Sequence, residues 1–236
     1  MERDQIRRFL KRIKLFSKPH PWHGINIGAE APKKIKVFIE LVPGDTMKYE
    51  LDKESGYLKV DRPQRFSNIC PMPYGFVPQT LCAEKVGDYC MEKTGRTGIK
   101  GDNDPLDICV ITERNIPHGN LILDAIPLGG LRMIDGEEAD DKIIAVLSGD
   151  AAFGHMRDIS EVPDHMIERL SHYFLTYKER PFSNDEKECE ITHIYDREEA
   201  MEVINRSIED YNGRFDMDKR ELFKMIGTGL QPPERL

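Results

Sequence analysis

Three carboxylates fall within the six residues Asp102-Asn103-Asp104-Pro105-Leu106-Asp107, which run straight into the apolar Ile108-Cys109-Val110-Ile111. Carboxylates packed this closely repel one another. Full solvation or a shared divalent cation are the cheapest ways to keep them charged. A second acidic cluster, Asp135-Gly136-Glu137-Glu138-Ala139-Asp140-Asp141, follows the apolar stretch from Leu121 to Met133. Lys142 then leads into Ile143-Ile144-Ala145-Val146. Two acidic clusters beside two strand-like runs imply a site for hard metal ions, and such sites commonly handle phosphate. A lysine entering a strand beside aspartates can hold a phosphate oxygen while the aspartates hold cations.

Each feature has a plainer reading when taken alone. A D-x-D can be an acidic turn that caps a strand, and a charge run can be a solvated face. Lys48 and Arg62, near Glu50 and Asp52, can be surface cross-strand ion pairs. Other chemistries are excluded more firmly. An EF-hand loop needs glycine at position six, where Asp107 stands. Gly95 to Gly101 resembles a phosphate-binding loop in composition but lacks the G-x-x-x-x-G-K-[ST] spacing. There is no G-x-S-x-G, H-E-x-x-H or G-x-G-x-x-G. The seven histidines show no metal-ligand spacing.

The elements that must position these residues are strands first and helices after. Residues 35–42 read as a strand. Met47 to Asp52 and Tyr57 to Arg62 read as a hairpin around Lys53-Glu54-Ser55-Gly56. Cys70 to Pro78 holds too many prolines for a central strand and reads as an ordered loop. Further strands are predicted at about 108–112, 121–128, 130–134 and 142–147. Residues 82–101, polar and glycine-containing, read as an insertion or surface hairpin. A helix is predicted from Pro163 through Tyr177, from the spacing of Met166, Ile167, Leu170, Tyr173 and Phe174. Asp196 and Glu199 match a capping box for a second helix ending near Gly213, and Asp218 opens a short third one. Strands followed by helices give an α+β, mainly β, architecture.

Composition sets outer limits. The chain has 236 residues, 39% apolar and 32% charged, with a formal net charge of −8. This suits a soluble globular fold and argues against a general nucleic-acid binder. It leaves room for an anionic substrate, because bound cations can reverse the local field. The five cysteines form no C-x-x-C and are odd in number, which reads as reduced thiols in a cytoplasmic protein. No segment has the length and apolarity of a membrane span. Residues from about 1 to 20 are basic, with Ile6, Phe9, Leu10 and Ile13 at helical spacing. They read as a helix docked on the protein itself or on a neighbouring subunit, since no apolar core of a signal peptide is present.

Taken together, the motifs resemble those of the family I soluble inorganic pyrophosphatases. The resemblance rests on Asp102-Asn103-Asp104-Pro105-Leu106-Asp107, Lys48-Tyr49-Glu50-Leu51-Asp52-Lys53-Glu54-Ser55-Gly56, Val60-Asp61-Arg62, Tyr74-Gly75 and Tyr177-Lys178, in that family's order. It runs from about Ile35 to Arg180. It implies a five-stranded OB-like closed β-barrel with flanking C-terminal helices, a single domain over 1–236, and a homo-oligomer. It also implies hydrolysis of pyrophosphate to two phosphates with several Mg²⁺ ions, for which Mn²⁺ or Co²⁺ can substitute.

By the same resemblance Asp102 and Asp107 are ligands of two activating metals, with Asp107 the bridge. Asp104 accepts the proton of the attacking water. Asp135, Asp140 and Glu50 are further metal ligands. Lys48, Arg62, Lys142, Tyr177 and Lys178 contact the phosphates, Tyr74 lines the same pocket, and Glu40 supports the basic residues. Two departures stand out: Cys70 replaces a tyrosine common in the family, and residues 82–101 are inserted before the first aspartate. A phosphohydrolase acting on nucleotides or polyphosphate would use the same aspartates. A calcium- or phosphate-binding scaffold without catalysis is a further alternative, against which the retained Asp104 speaks.

Overall fold

The computed structural model describes residues 17–179 and 189–227, with 217–227 described as backbone only. The basic segment before Ser17, and Arg180 at the end of the resemblance, lie outside the described residues.

The fold is mixed α+β and mainly β. An eight-stranded sheet contains β1 (Ile35–Leu41), β4 (Tyr74–Phe76), β5 (Lys100–Gly101), β6 (Asp107–Ile111), β7 (Leu121–Asp135), β8 (Glu138–Ala139), β9 (Lys142–Leu147) and β10 (Cys189–Tyr195). The strands β2 (Met47–Leu51) and β3 (Leu58–Pro63) form the predicted hairpin apart from it. Pairing runs β1–β4–β6–β9–β7 and returns to β1, because Ile35 to Ile39 also pair with Leu121 to Ala125. All of these pairs are antiparallel except β6 with β9.

The unbroken apolar runs of β6 and β9 follow from burial on both faces. Ile108, Val110, Ile143 and Ala145 join one core, and Cys109, Ile111, Ile144 and Val146 join another. Helix α1 (Glu84–Thr94) and helix α3 (Arg197–Gly227) supply the first core, through residues such as Val86, Tyr89, Val203 and Ile204. Helix α2 (Asp164–Thr176) supplies the second through Ile167, Leu170, Tyr173 and Phe174.

Several expectations need correction. The stretch from Cys70 to Pro78 is not wholly loop: β4 pairs with both β1 and β6. Its prolines flank the three strand residues without interrupting them. The polar segment 82–101 is no surface hairpin. Val86, Tyr89 and Cys90 share a buried helical face that low overall apolarity concealed. Ala83 offers α1 no side-chain cap, so Asp210 of α3 accepts hydrogen bonds from the backbone N–H groups of Ala83, Lys85 and Val86 at 3.0–3.2 Å. That capping carboxylate is remote in sequence, which leaves no local start signal.

The two strands expected at 121–128 and 130–134 are one strand, β7, with a register shift between Pro127 and Gly129. Here glycine serves close approach: a Cβ on Gly130 would lie 2.4 Å from the Tyr195 ring. Strand β10 was not anticipated within the helical last third. Asp196 does cap α3, accepting the Glu199 N–H at 2.9 Å, but the helix runs on through Gly213 and Asp218. An interior glycine costs only about 1 kcal/mol against alanine, so it need not end a helix anchored by tertiary packing.

Candidate active site

Strand parity selects which charges meet. Side chains two apart share a face. On β7, Asp135 shares a face with Met133 and Leu131. At the start of β9, Asp140 and Lys142 share a face with Ile144. On β6, Asp107 shares a face with Cys109. All of these belong to the α2 side of the sheet. Asp107, Asp135, Asp140 and Lys142 line a cleft of about 270 Å³ together with Glu40, Lys48, Glu50, Tyr74, Asp102, Asp104, Tyr177 and Lys178. The two acidic clusters, about thirty residues apart in sequence, therefore face each other.

The Asp102 loop is held from several directions. Asn103 takes φ 62°, a conformation asparagine tolerates well. Asp102 accepts the Asp104 N–H at 2.9 Å, and the Cys82 N–H donates to the Asp104 carbonyl at 2.8 Å. Thr80 accepts the Leu106 N–H at 2.9 Å. The segment that looked like an insertion therefore supports this loop directly.

Register places Asp107 opposite Lys142, and their side chains meet at 2.5 Å. Lys142 also pairs with Asp140, Lys178 with Asp135, Lys48 with Glu50, and Lys53 with Asp104. The Tyr74 hydroxyl donates to Asp107 at 2.6 Å. Glu40 accepts the Leu51 N–H at 2.7 Å from behind, fixing the strand that carries Lys48 and Glu50.

The electrostatics are those of crowded anions. Burial, then the charge of Asp140, push the Asp102 carboxyl up to about 8. Burial, then Asp107, push Glu40 up to about 8. Burial raises Asp140 to about 6 against the pull of Lys142. Burial alone would lower Lys142, but Asp107 and Asp140 outweigh it and raise it well above its ordinary value. This is a site with too many carboxylates for its own lysines, and further cations would relieve it.

Arg62 stands apart from the other expected residues. It does not line the cleft; its guanidinium lies 5.6 Å from the centre of the Tyr177 ring, which does. Lys53, Glu138, Phe76, Tyr173 and Phe174 line the cleft and were not foreseen. Lys53 lies in the turn between β2 and β3, and that turn delivers it to Asp104. Arg65 donates to the Lys178 carbonyl, and Asn68 donates to the Thr176 carbonyl at 2.9 Å, so the end of α2 is tied to the hairpin tail. Neither residue carries a motif signal.

Every polar group positioned to bind a cation is an oxygen donor, which suits a hard divalent ion. Among the described residues no three such groups already stand together as a metal cage; lysine ammonium groups are paired with the carboxylates instead. A mainly β scaffold that gathers carboxylates, lysines and tyrosines in one polar cleft defines a class of protein suited to a polyanion and its counter-cations.

Known proteins make the class specific. The family model described as inorganic pyrophosphatase matches residues 37–212. The inorganic pyrophosphatase of Chlamydia trachomatis serovar D is 49% identical over 199 residues, covering 83% of this chain and 95% of that protein. Soluble inorganic pyrophosphatase 1 of Arabidopsis thaliana is 38% identical over 192 residues, covering 81% and 80%. The crystal structure of inorganic pyrophosphatase from Thermus thermophilus matches with a TM-score of 0.66 at 30% identity, covering 80% of this chain and 97% of that one. The chain belongs to the inorganic pyrophosphatase family.

Proposed function

We propose that this chain hydrolyses inorganic pyrophosphate to two orthophosphates, using Asp102, Asp107, Asp135, Asp140 and Glu50 to hold several Mg²⁺ ions. The observation that carries the assignment is the single cleft in which these carboxylates converge with Lys48, Lys142 and Lys178. The bound metals would lower the pKa of water and neutralise phosphoryl oxygens. Asp104 takes the proton of the attacking water. Lys48, Lys142, Lys178 and Tyr177 orient the substrate phosphates and offset their charge. Arg62, beside the Tyr177 ring that lines the cleft, belongs to the same phosphate contacts. Tyr74 and Glu40 hold Asp107 and the β2 strand in place. Mn²⁺ and Co²⁺ substitute for Mg²⁺, since the same oxygen donors accept them.

The returning pairing path β1–β4–β6–β9–β7 supports a five-stranded, OB-like closed barrel within one domain over 1–236. The five free, buried cysteines support a reducing, cytoplasmic setting. Among the described residues no helix is long and apolar enough to cross a membrane. Assembly as a homo-oligomer belongs to the same reading. The purified protein with Mg²⁺ is expected to release phosphate from pyrophosphate, and EDTA to stop it. No turnover between neutral and alkaline pH would overturn the assignment.

A further inference from the structure

Behind the cleft, on the opposite face of β7 and β9, lies a second group of charges. Arg132 and Asp141 are both fully buried, with Arg132 Nη1 2.7 Å from Asp141 Oδ2. Arg132 Nη2 also donates to Glu199 Oε1 at 2.7 Å, in the first turn of α3. The guanidinium lies between two rings, 5.1 Å from the centre of Tyr89 on α1 and 5.0 Å from that of Tyr195 on β10. The Tyr195 hydroxyl donates to Asp141 at 3.4 Å. Arg132 therefore joins the sheet to both helices of that face.

Asp141 is the single residue between Asp140 and Lys142, and its side chain points the other way. Its two neighbours cannot shift along or across the sheet without moving it. Backbone pairing holds Lys142 from both sides, opposite Leu131 of β7 and Asp107 of β6, but Asp140 lies before that ladder and is held by one bond, its N–H donating to the Met133 carbonyl at 3.0 Å. A planar guanidinium beside two rings, hydrogen-bonded to Glu199 and ion-paired with Asp141, adds a side-chain anchor to that backbone bond.

We propose that Asp141, clamped by Arg132, is a positioning residue that fixes Asp140 and Lys142 in the cleft, and that Tyr89 gives the 82–101 segment a part in the same clamp. The proposal rests on the reading that Asp140 holds metal. Groups that orient a metal ligand from behind typically contribute about 10- to 100-fold in metal affinity.

The test is Mn²⁺ binding without substrate, followed by isothermal titration calorimetry, on wild type, Asp141→Asn, Arg132→Met and Arg132→Lys. Positioning raises the Mn²⁺ dissociation constant about 10-fold in all three variants. An effect of charge alone would weaken binding in Asp141→Asn, strengthen it in Arg132→Met and leave Arg132→Lys unchanged; that pattern overturns the proposal. Arg132→Lys keeps the charge and serves where Arg132→Met fails to fold. Unchanged dissociation constants in folded variants also overturn it and make the cluster purely structural. Wild type that binds no Mn²⁺ would instead sink the metal-site reading itself.

Discussion

The two faces of the β7–β9 pair each carry buried charge, and they treat it differently. Toward α2, Asp107, Asp135 and Asp140 outnumber the lysines beside them and open into a cleft. Toward α1 and α3, Arg132 meets Asp141 and Glu199 in a closed space between two tyrosine rings. Burial raises Asp141 to about 7 even with Arg132 pulling it down, so the closed pair is held at a desolvation cost. The open face keeps an unbalanced charge that a cation and an anionic substrate can complete. The closed face pairs its charges internally, Arg132 with Asp141 and both Arg132 and Lys93 with Glu199, and gives rigidity in return. Surplus charge marks the face for chemistry, and balanced charge marks the face for support.

Substitutions on each face should separate those roles. Asp107→Asn is expected to give the largest change in activity, lowering kcat at least ~10²- to 10³-fold, as loss of one transition-state contact does elsewhere. Its unfolding temperature without metal should change little, since relief of repulsion with Asp102 and Asp140 offsets the loss of one of the two carboxylates paired with Lys142. Steady-state kinetics and a thermal melt check both, and near-normal turnover would refute the role given to Asp107. Arg132→Met should do the reverse in kind: it leaves buried carboxylates unpaired and costs about 3–5 kcal/mol in urea unfolding. A cost below ~1 kcal/mol would mean that the closed face does not support the fold.

Asp210→Ala tests the support one step further out. It removes the carboxylate that caps α1 from α3, at a cost of about 1–2 kcal/mol, with kcat changing by less than about threefold. A much larger fall in kcat would tie α1 to the chemistry more tightly than the contacts imply. The smallest effect concerns pH. Burial alone would raise the Glu199 carboxyl, but its bond to Arg132 holds it below its ordinary value of 4.5. A carboxyl lowered on folding contributes stability above its unfolded pKa and loses it as pH falls through the folded one. Wild type should therefore lose stability relative to Glu199→Gln as the pH drops below about 4.5, measured as the difference between their urea midpoints. Parallel curves would remove Glu199 from the clamp.

Much of this was legible in the chain. The D-x-D-P-x-D run, the hairpin with Lys48 and Glu50, the Tyr177-Lys178 pair and the helix that precedes it all depend on local spacing, and local spacing is written in the sequence. The roles of Lys53, Arg65, Asn68 and Asp210 were not, because each acts on a partner tens of residues away and none lies in a run that changes local propensity. Strand β4 and helix α1 were misread for a related reason. Three strand residues among prolines, and a helix with three buried side chains, carry too little periodicity until a neighbouring sheet and helix cover them.

Asp140 and Asp141 show where the division falls. By itself the sequence determined that two aspartates and a lysine stand together at the head of an apolar strand, and so that charge would be carried to the edge of a core. Local spacing could not rank the two aspartates, since they are adjacent and chemically identical; only the family resemblance singled out Asp140. The tertiary structure decided between them. Pairing of β9 with β6 and β7 fixed which way each side chain turns, sending Asp140 and Lys142 to the cleft and Asp141 to Arg132. Strand side chains alternate by geometry, but which face becomes a site depends on what the rest of the chain packs against it.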